Sequence, residues 1–331
     1  MTRYWLAFCL LFAAGCSDDP APEQRRGWST AFDAKDSGWL LSSWGPAPND
    51  VYAVGGTESE GAIQHFDGSS WQALSLGVSV PLLNWVTGFA ANDITVVGNE
   101  GTVVHWDGAT WSAQTTPTGE PLWGVWGAAP TDLWAVGGSG RATGVATLLH
   151  FDGTSWESVA LPPLQKARVN ALFKVWGTSA SNVWAVGQKG AVIHYDGSAW
   201  SEQLVGASDD LIALWGTGPD FVVAVGGRSI GIASVWNGSE WKTESLAPVP
   251  GLNGVWMRTQ DAVHVVGAAG TLGVLRPKDF SFKDESRDTE LDIHGVFGTA
   301  AGSLFAVGGN FLGPVPPYEG IALTRKLLDD E

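Results

Sequence analysis

A twelve-residue unit recurs seven times along the chain, starting at Trp44, Thr87, Trp126, Trp176, Trp215, Trp256 and Phe297 and closing each time in Val-Gly. The starts are 43, 39, 50, 39, 41 and 41 residues apart. Four residues before each start stands an aliphatic residue: Leu40, Leu83, Leu122, Leu172, Leu211, Leu252 or Ile293. After the unit comes His-aromatic-Asp-Gly-x-x-Trp, seen as HFDGSSW 65–71, HWDGATW 105–111, HFDGTSW 150–156 and HYDGSAW 194–200, then as VWNGSEW 235–241, and decaying to LRPKDF near Phe280. Each period therefore holds four short apolar segments divided by Gly, Asp, Asn and Pro, which is the pattern of four strands and their turns. A four-stranded unit of about forty residues cannot bury its faces alone, and a chain of such units closes them against one another in a ring. The repeat predicts an all-β, seven-bladed β-propeller with four antiparallel strands per blade.

Strands such as LWAVG 133–137 and VWAVG 183–187 are apolar at consecutive positions, as expected where neighbouring blades cover both faces. Trp fills the wide outer part of the wedge between blades, while Gly and Ala suit the narrow inner part. The seventh repeat has two strands in 293–308 and a third at 321–324, but no Asp-Gly-x-x-Trp strand follows it. WSTAF 28–32 stands alone ahead of the first repeat. The N-terminal strand is therefore expected to complete the last blade and remove its open edge. The WGxxPxDxWAVG and HxDGxxW motifs resemble those of Trp-rich bacterial propellers, loosely similar to the BNR/Asp-box and photosystem II assembly-factor-like groups, over about 28–324. That resemblance implies the fold and no particular activity, since propellers host many functions.

The first fifteen residues place Arg3 before an apolar run and then Ala13-Ala14-Gly15 before Cys16, which reads as an export signal. The small residues running into Cys16 resemble the bacterial lipobox, with Ala13 departing from the preferred Leu, and imply a lipid on Cys16. Residues 16–27, polar and Pro-containing after Cys16, suit a flexible tether to a propeller spanning 28–331. With Cys9 removed and Cys16 acylated, no thiol remains for a disulfide. Ser17 after the cysteine points, by the same resemblance, to the outer membrane, with the domain periplasmic or surface-facing. Two features exclude partners: a net charge of −16 disfavours nucleic acid, and no apolar run after residue 15 is long enough to span a bilayer as a helix. A monomer is expected.

The repeat also sorts the chemistry-bearing residues. His65, His105, His150 and His194, each two residues before an Asp, lie a blade's width apart and cannot converge on one metal ion; each is expected to bond within its own blade. Asp67, Asp107, Asp152, Asp196 and Asn237 precede Gly at tight turns, where the side chain bonds local backbone; a calcium role is the alternative. Sialidase chemistry would need a Tyr nucleophile beside a carboxylate, and of Tyr52, Tyr195 and Tyr318 the first two fill Trp or Phe slots. No nucleophile elbow, P-loop, zinc-protease or dinucleotide motif is present, so no enzyme activity, cofactor or metal is expected. Trp39, Trp85 and Trp123 fall outside the repeat's Trp slots and are the candidates for stacking on a sugar, with packing in the core as the other reading.

Loop lengths carry the functional signal. The first-to-second and third-to-fourth connections are constant, whereas Val-Gly to Asp-Gly spans 12, 9, 15, 9 and 11 residues, and the last Trp to the next unit 16, 15, 20, 15 and 15. Both variable connections emerge on one face of an up-down blade. The insertions SGRATGVAT 139–147 and LPPLQKARVNALF 161–173, with GNFLGPVPPYEG 309–320, mark that face as a binding surface. Arg141, Lys166, Arg168, Phe311 and Tyr318 are the candidate contacts, since Arg and aromatic residues dominate interfaces. The leading expectation is a non-catalytic envelope lipoprotein that recognises a protein or glycan. A lectin is the first alternative, and a glycosidase or lyase acting in the axial channel near Lys174 and His294 is the second.

Overall fold

A computed structural model describes residues 27–140, 143–166, 168–287, 289–299, 302–311 and 316–327. Cys16 and Arg141 lie outside the described residues. Among those described, the chain forms seven four-stranded antiparallel sheets arranged as a ring. Blade one runs through Trp39–Ala47, Asp50–Gly56, Gly61–Phe66 and Trp71–Leu74 in spatial order, and blades two to six repeat the plan. Their first strands are Leu83–Ala90, Leu122–Ala129, Leu172–Ser179, Leu211–Gly218 and Leu252–Met257. Blade seven is built from Asp292–Gly298, Ser303–Gly309 and Gly320–Lys326, and its fourth strand is Ser29–Thr30 from the other end of the chain. Ser29 pairs with Thr324 and Thr30 with Leu323, and the Ala31 amide donates to the Ala322 carbonyl at 2.9 Å.

The first strand of each blade lies innermost, and each packs on the next around the axis, with Asp292–Gly298 returning to Trp39–Ala47. The seven aliphatic residues preceding the repeat units are fully buried, Leu40 through Ile293, and anchor the inner strands. The Trp that opens a unit reaches sideways onto the Gly of the following blade: a Cβ on Gly88 would meet the Trp44 ring at 2.6 Å, and one on Gly216 would meet Trp176 at 2.6 Å. Trp126 covers Gly177 and Trp256 covers Gly298 in the same way. Blade two has Thr87 in the Trp slot, and there Phe89, two residues on, supplies the ring over Gly127. The Trp-Gly dipeptide is thus an interblade contact, Gly receiving from one neighbour and Trp giving to the other.

A second aromatic layer binds the outer strands. Trp200 of blade four meets Trp134 of blade three edge-on at 5.1 Å, Trp241 meets Trp184 at 5.4 Å, and Trp71 of blade one meets Phe305 of blade seven at 6.0 Å. Such pairs add about 0.5–1.5 kcal/mol beyond the area they bury. At the closing blade, Trp28 occupies the corresponding position, buried against Trp256, Ile293 and Leu304, with the Arg325 guanidinium 5.7 Å from its ring.

Candidate functional site

The inner strands are not regular. In every blade the pairing with the second strand skips one residue directly after the buried aliphatic anchor, for example between Leu40 and Ser42, between Leu122 and Gly124, and between Ile293 and Gly295. A bulge of this kind re-aims the skipped side chain. The skipped residues are Leu41, Asn84, Trp123, Phe173, Ile212, Asn253 and His294. Six of them line one bowl of about 550 Å3 at the axial mouth on the variable-loop face, Asn84 being the exception. Asn84 is buried and donates to the Leu122 carbonyl at 2.9 Å.

The variable loops finish the bowl. Ser139 and Gly140 come from blade three, Gln188 from blade four, Arg228 from blade five, and Phe311 from the long blade-seven loop. The wall is aromatic: Trp39 lies 5.6 Å from Phe311 and is braced edge-on by Tyr318 at 4.9 Å, while Phe311 sits 5.5 Å from the His294 ring. Two indoles are locked in place through their N–H groups, Trp39 Nε1 donating to Asn310 Oδ1 at 2.8 Å and Trp123 Nε1 to the Gly138 carbonyl at 2.7 Å. Arg228 Nη2 pairs with Asp210 Oδ2 at 2.7 Å and its guanidinium lies 5.3 Å from the Phe173 ring, so this cation is presented on a fixed arm. Asp292 holds the Ala269 amide at 2.9 Å.

His294 is neutral at physiological pH. Burial, with the Lys174 charge nearby, lowers its pKa to about 4. Its Nδ1 stands 2.9 Å from the Leu41 carbonyl, an acceptor, so Nδ1 carries the proton and donates. Lys174 lies one residue below the bulge in blade four, where five other blades have Ser42, Gly124, Ala213, Gly254 and Gly295. It meets Trp85 of blade two: Lys174 Nζ is 3.3 Å from the Trp85 ring centroid and donates to the Trp123 carbonyl at 3.2 Å. Burial pulls the Lys174 amine well below the usual lysine range. Lys174 lines the cavity on the opposite face and His294 lines the bowl; no described cavity is lined by both.

The repeated His and Asp residues bond as the repeat implies. His65 Nε2 meets Asp50 at 2.7 Å, His105 meets Asp93 at 2.9 Å, His150 meets Asp132 at 2.8 Å and His194 meets Asn182 at 2.8 Å, each within its own blade. In blade five the corresponding pair is Val235 and Phe221, so the polar partners disappear together. Asp67 Oδ1 accepts from the amides of Ser69 and Ser70 at 2.8 Å each, and Asp107, Asp152, Asp196 and Asn237 repeat this turn. No group of three His, Cys, Asp or Glu residues placed to hold a metal occurs among the described residues.

No protein-family model matches the sequence, and no curated protein matches it. Among solved structures the chain is similar to YCF48 bound to D1 peptide, at 14% identity over 91% of this chain and 97% of that one, with a TM-score of 0.66. It is similar also to YCF48 from Cyanidioschyzon merolae, at 12% identity, 91% and 98% coverage and a TM-score of 0.67. A third similar structure is the WD40 β-propeller domain of Doa1, at 8% identity, 90% and 97% coverage and a TM-score of 0.68. What these chains share is the propeller.

The contacts expected from sequence separate into two groups. Phe311 lines the bowl and Tyr318 supports its wall from behind. Lys166 and Arg168 lie apart, beside a shallow depression with Val145, Leu161 and Leu164. Lys166 Nζ is tied to the main-chain carbonyls of Lys189 and Ala207, and Lys189 Nζ donates to the Arg168 carbonyl at 2.8 Å, so this cluster braces loops of blades three to five. Trp39 and Trp123, expected as possible stacking residues, also line the bowl, whereas Phe173, Asn253 and Arg228 were not among the expected contacts. The signal that could have found Phe173 and Asn253 is their repeat position, which is chemically unconstrained from blade to blade while the residue before it is always aliphatic.

Proposed function

We propose that this chain is a non-catalytic recognition module of the cell envelope, anchored through a lipid on Cys16, that seats an extended segment or loop of a protein partner in the axial bowl. The observation that carries this reading is the convergence of bulged side chains from six blades with Trp39, Arg228 and Phe311 on one aromatic-walled concavity. A preformed apolar concavity with a few fixed polar groups is the usual form of a binding site. Three exposed apolar side chains on the same face, Val145 and Leu204 in loops and Ile230 at the start of a strand, extend the surface outward over blades three to five. The YCF48 structure with a bound D1 peptide supports a peptide as the kind of ligand a propeller of this plan takes. The indole N–H groups of Trp39 and Trp123 are already bonded to protein, which leaves ring faces for contact and favours side-chain packing over hydrogen-bonded sugar recognition.

The test is capture of a partner from the native envelope by the lipidated chain, compared with a Trp123→Ala, Arg228→Ala, Phe311→Ala variant. Loss of two or more hot-spot contacts at about 2 kcal/mol each weakens binding by at least about a hundred-fold. Undiminished capture by a folded triple variant rejects the bowl as the contact surface, and specific binding on a glycan array assigns a sugar ligand instead.

A further inference from the structure

The opposite mouth of the axial channel, on the face of constant loops, is a second cavity. Its walls are the interblade rings, among them Trp44, Phe89, Trp126, Trp176 and Trp215, and their inner edges leave about 250 Å3 of open space. The floor is polar. Lys174, only 3% exposed, lines it; one N–H goes to the Trp123 carbonyl and the ammonium lies against the Trp85 ring. When protonated, Lys174 has three donors, and this arrangement leaves one without an acceptor. Ser43, 6% exposed, lines the same cavity, and its Oγ is buried without a hydrogen-bond partner. Two buried donors from blades one and four therefore share one apolar enclosure, and no Asp or Glu lines it.

Buried donors without acceptors, one of them a potential cation, call for an acceptor that brings negative charge. An aromatic enclosure would ordinarily suit a cation, but Lys174 already sits on the ring face a cation would use and repels a second positive charge. A dianion such as phosphate would lose more hydration than one lysine restores. Lys174 and Trp85 line this cavity and neither lines the bowl, so a ligand here enters from the constant-loop side and its length is limited. We propose that this cavity is a binding site for a small monocarboxylate with a flat or short apolar body, its carboxylate on Lys174 Nζ and Ser43 Oγ and its body among the rings of Trp126, Trp176 and Trp215. The site is independent of the partner surface on the other face.

Calorimetric titration of the full chain with benzoate, indole-3-acetate and hexanoate, each beside its primary amide, tests this. The carboxylate should bind at least about ten-fold more tightly than its amide, because the amide retains shape and loses the charge-assisted bond. The Lys174→Met variant should bring acid and amide to within about two-fold, and Ser43→Ala should weaken the acid several-fold while sparing the amide. Equal binding of acid and amide, no binding of either by about 10 mM, or acetate binding as tightly as benzoate would each overturn the proposal. Should Lys174→Met fail to fold, the acid-to-amide ratio in the unaltered chain and its change in Ser43→Ala decide the matter.

Discussion

Asp67 and its counterparts show how a residue that looks chemically active is spent on structure. Accepting bonds from Ser69 and Ser70 holds the Asp67 carboxylate at about 2, and the same type of turn holds Asp196 at about 2 and lowers Asp107 and Asp152. Because these folded values lie below the ordinary value of 3.8, the turns stabilise the fold above about pH 4, and that contribution is lost as pH falls toward 2. Asn237 makes the same bonds without a titrating group, so replacing all four Asp by Asn should flatten the fall in melting temperature between pH 5 and pH 2; an unchanged acid limb would show that other carboxylates govern it. The Trp-Gly contact makes a second residue-level prediction. Trp176→Ala, at a buried ring, should destabilise the ring by about 3–5 kcal/mol, and Gly216→Val should cost about 1–3 kcal/mol by overpacking against Trp176; denaturant unfolding measures both. The Asp turns were legible in the sequence because a motif repeated once per blade has no common centre to act at; the Trp that opens a unit was expected in the outer part of the wedge and instead sits on the innermost strand beside the axial cavity. The tie of Lys166 to two carbonyls was not legible, since a lysine so held and one free to meet a partner read the same in one dimension.

At the scale of strands, the inner strand does two jobs, and only one of them is written plainly. The aliphatic anchor recurs in every blade because its site is fully enclosed. The residue after it bulges out of the ladder and faces the axis, where surroundings differ from blade to blade, so Leu41, Trp123, Phe173, Ile212, Asn253 and His294 share a position and no chemistry. A one-residue bulge leaves the apolar pattern on both sides intact, and for that reason the bowl was not visible before the pairing was. The terminal strand was visible, because WSTAF 28–32 fits the slot that blade seven leaves open. Removing residues 27–34 should strip Gly320–Lys326 of its partner, release the buried Trp28 and leave an exposed edge. The expected outcome is a melting temperature lower by about 2–4 °C per kcal/mol lost, with concentration-dependent association by light scattering, and recovery when a peptide of residues 27–34 is added. A truncated chain that melts like the whole would mean that the closing strand contributes no stability.

The whole molecule is a disc with two unlike faces. One carries constant loops over an aromatic cavity floored by Lys174; the other carries loops of uneven length that gather Gly140, Arg228 and Phe311 over the axis. Loop inequality was readable in the sequence, and the ring geometry explains why second-to-third loops of blades three and seven, distant in sequence, line one bowl: each that leans inward reaches the same axis. The claim that the uneven face recognises a protein is tested most directly by placing a photo-crosslinking phenylalanine analogue at Phe311 in one chain and at Phe89, on the constant-loop face, in another, each expressed in its native envelope. The account predicts a discrete protein adduct from position 311 and none from position 89. Equal labelling from both positions, or no adduct from position 311, would contradict it.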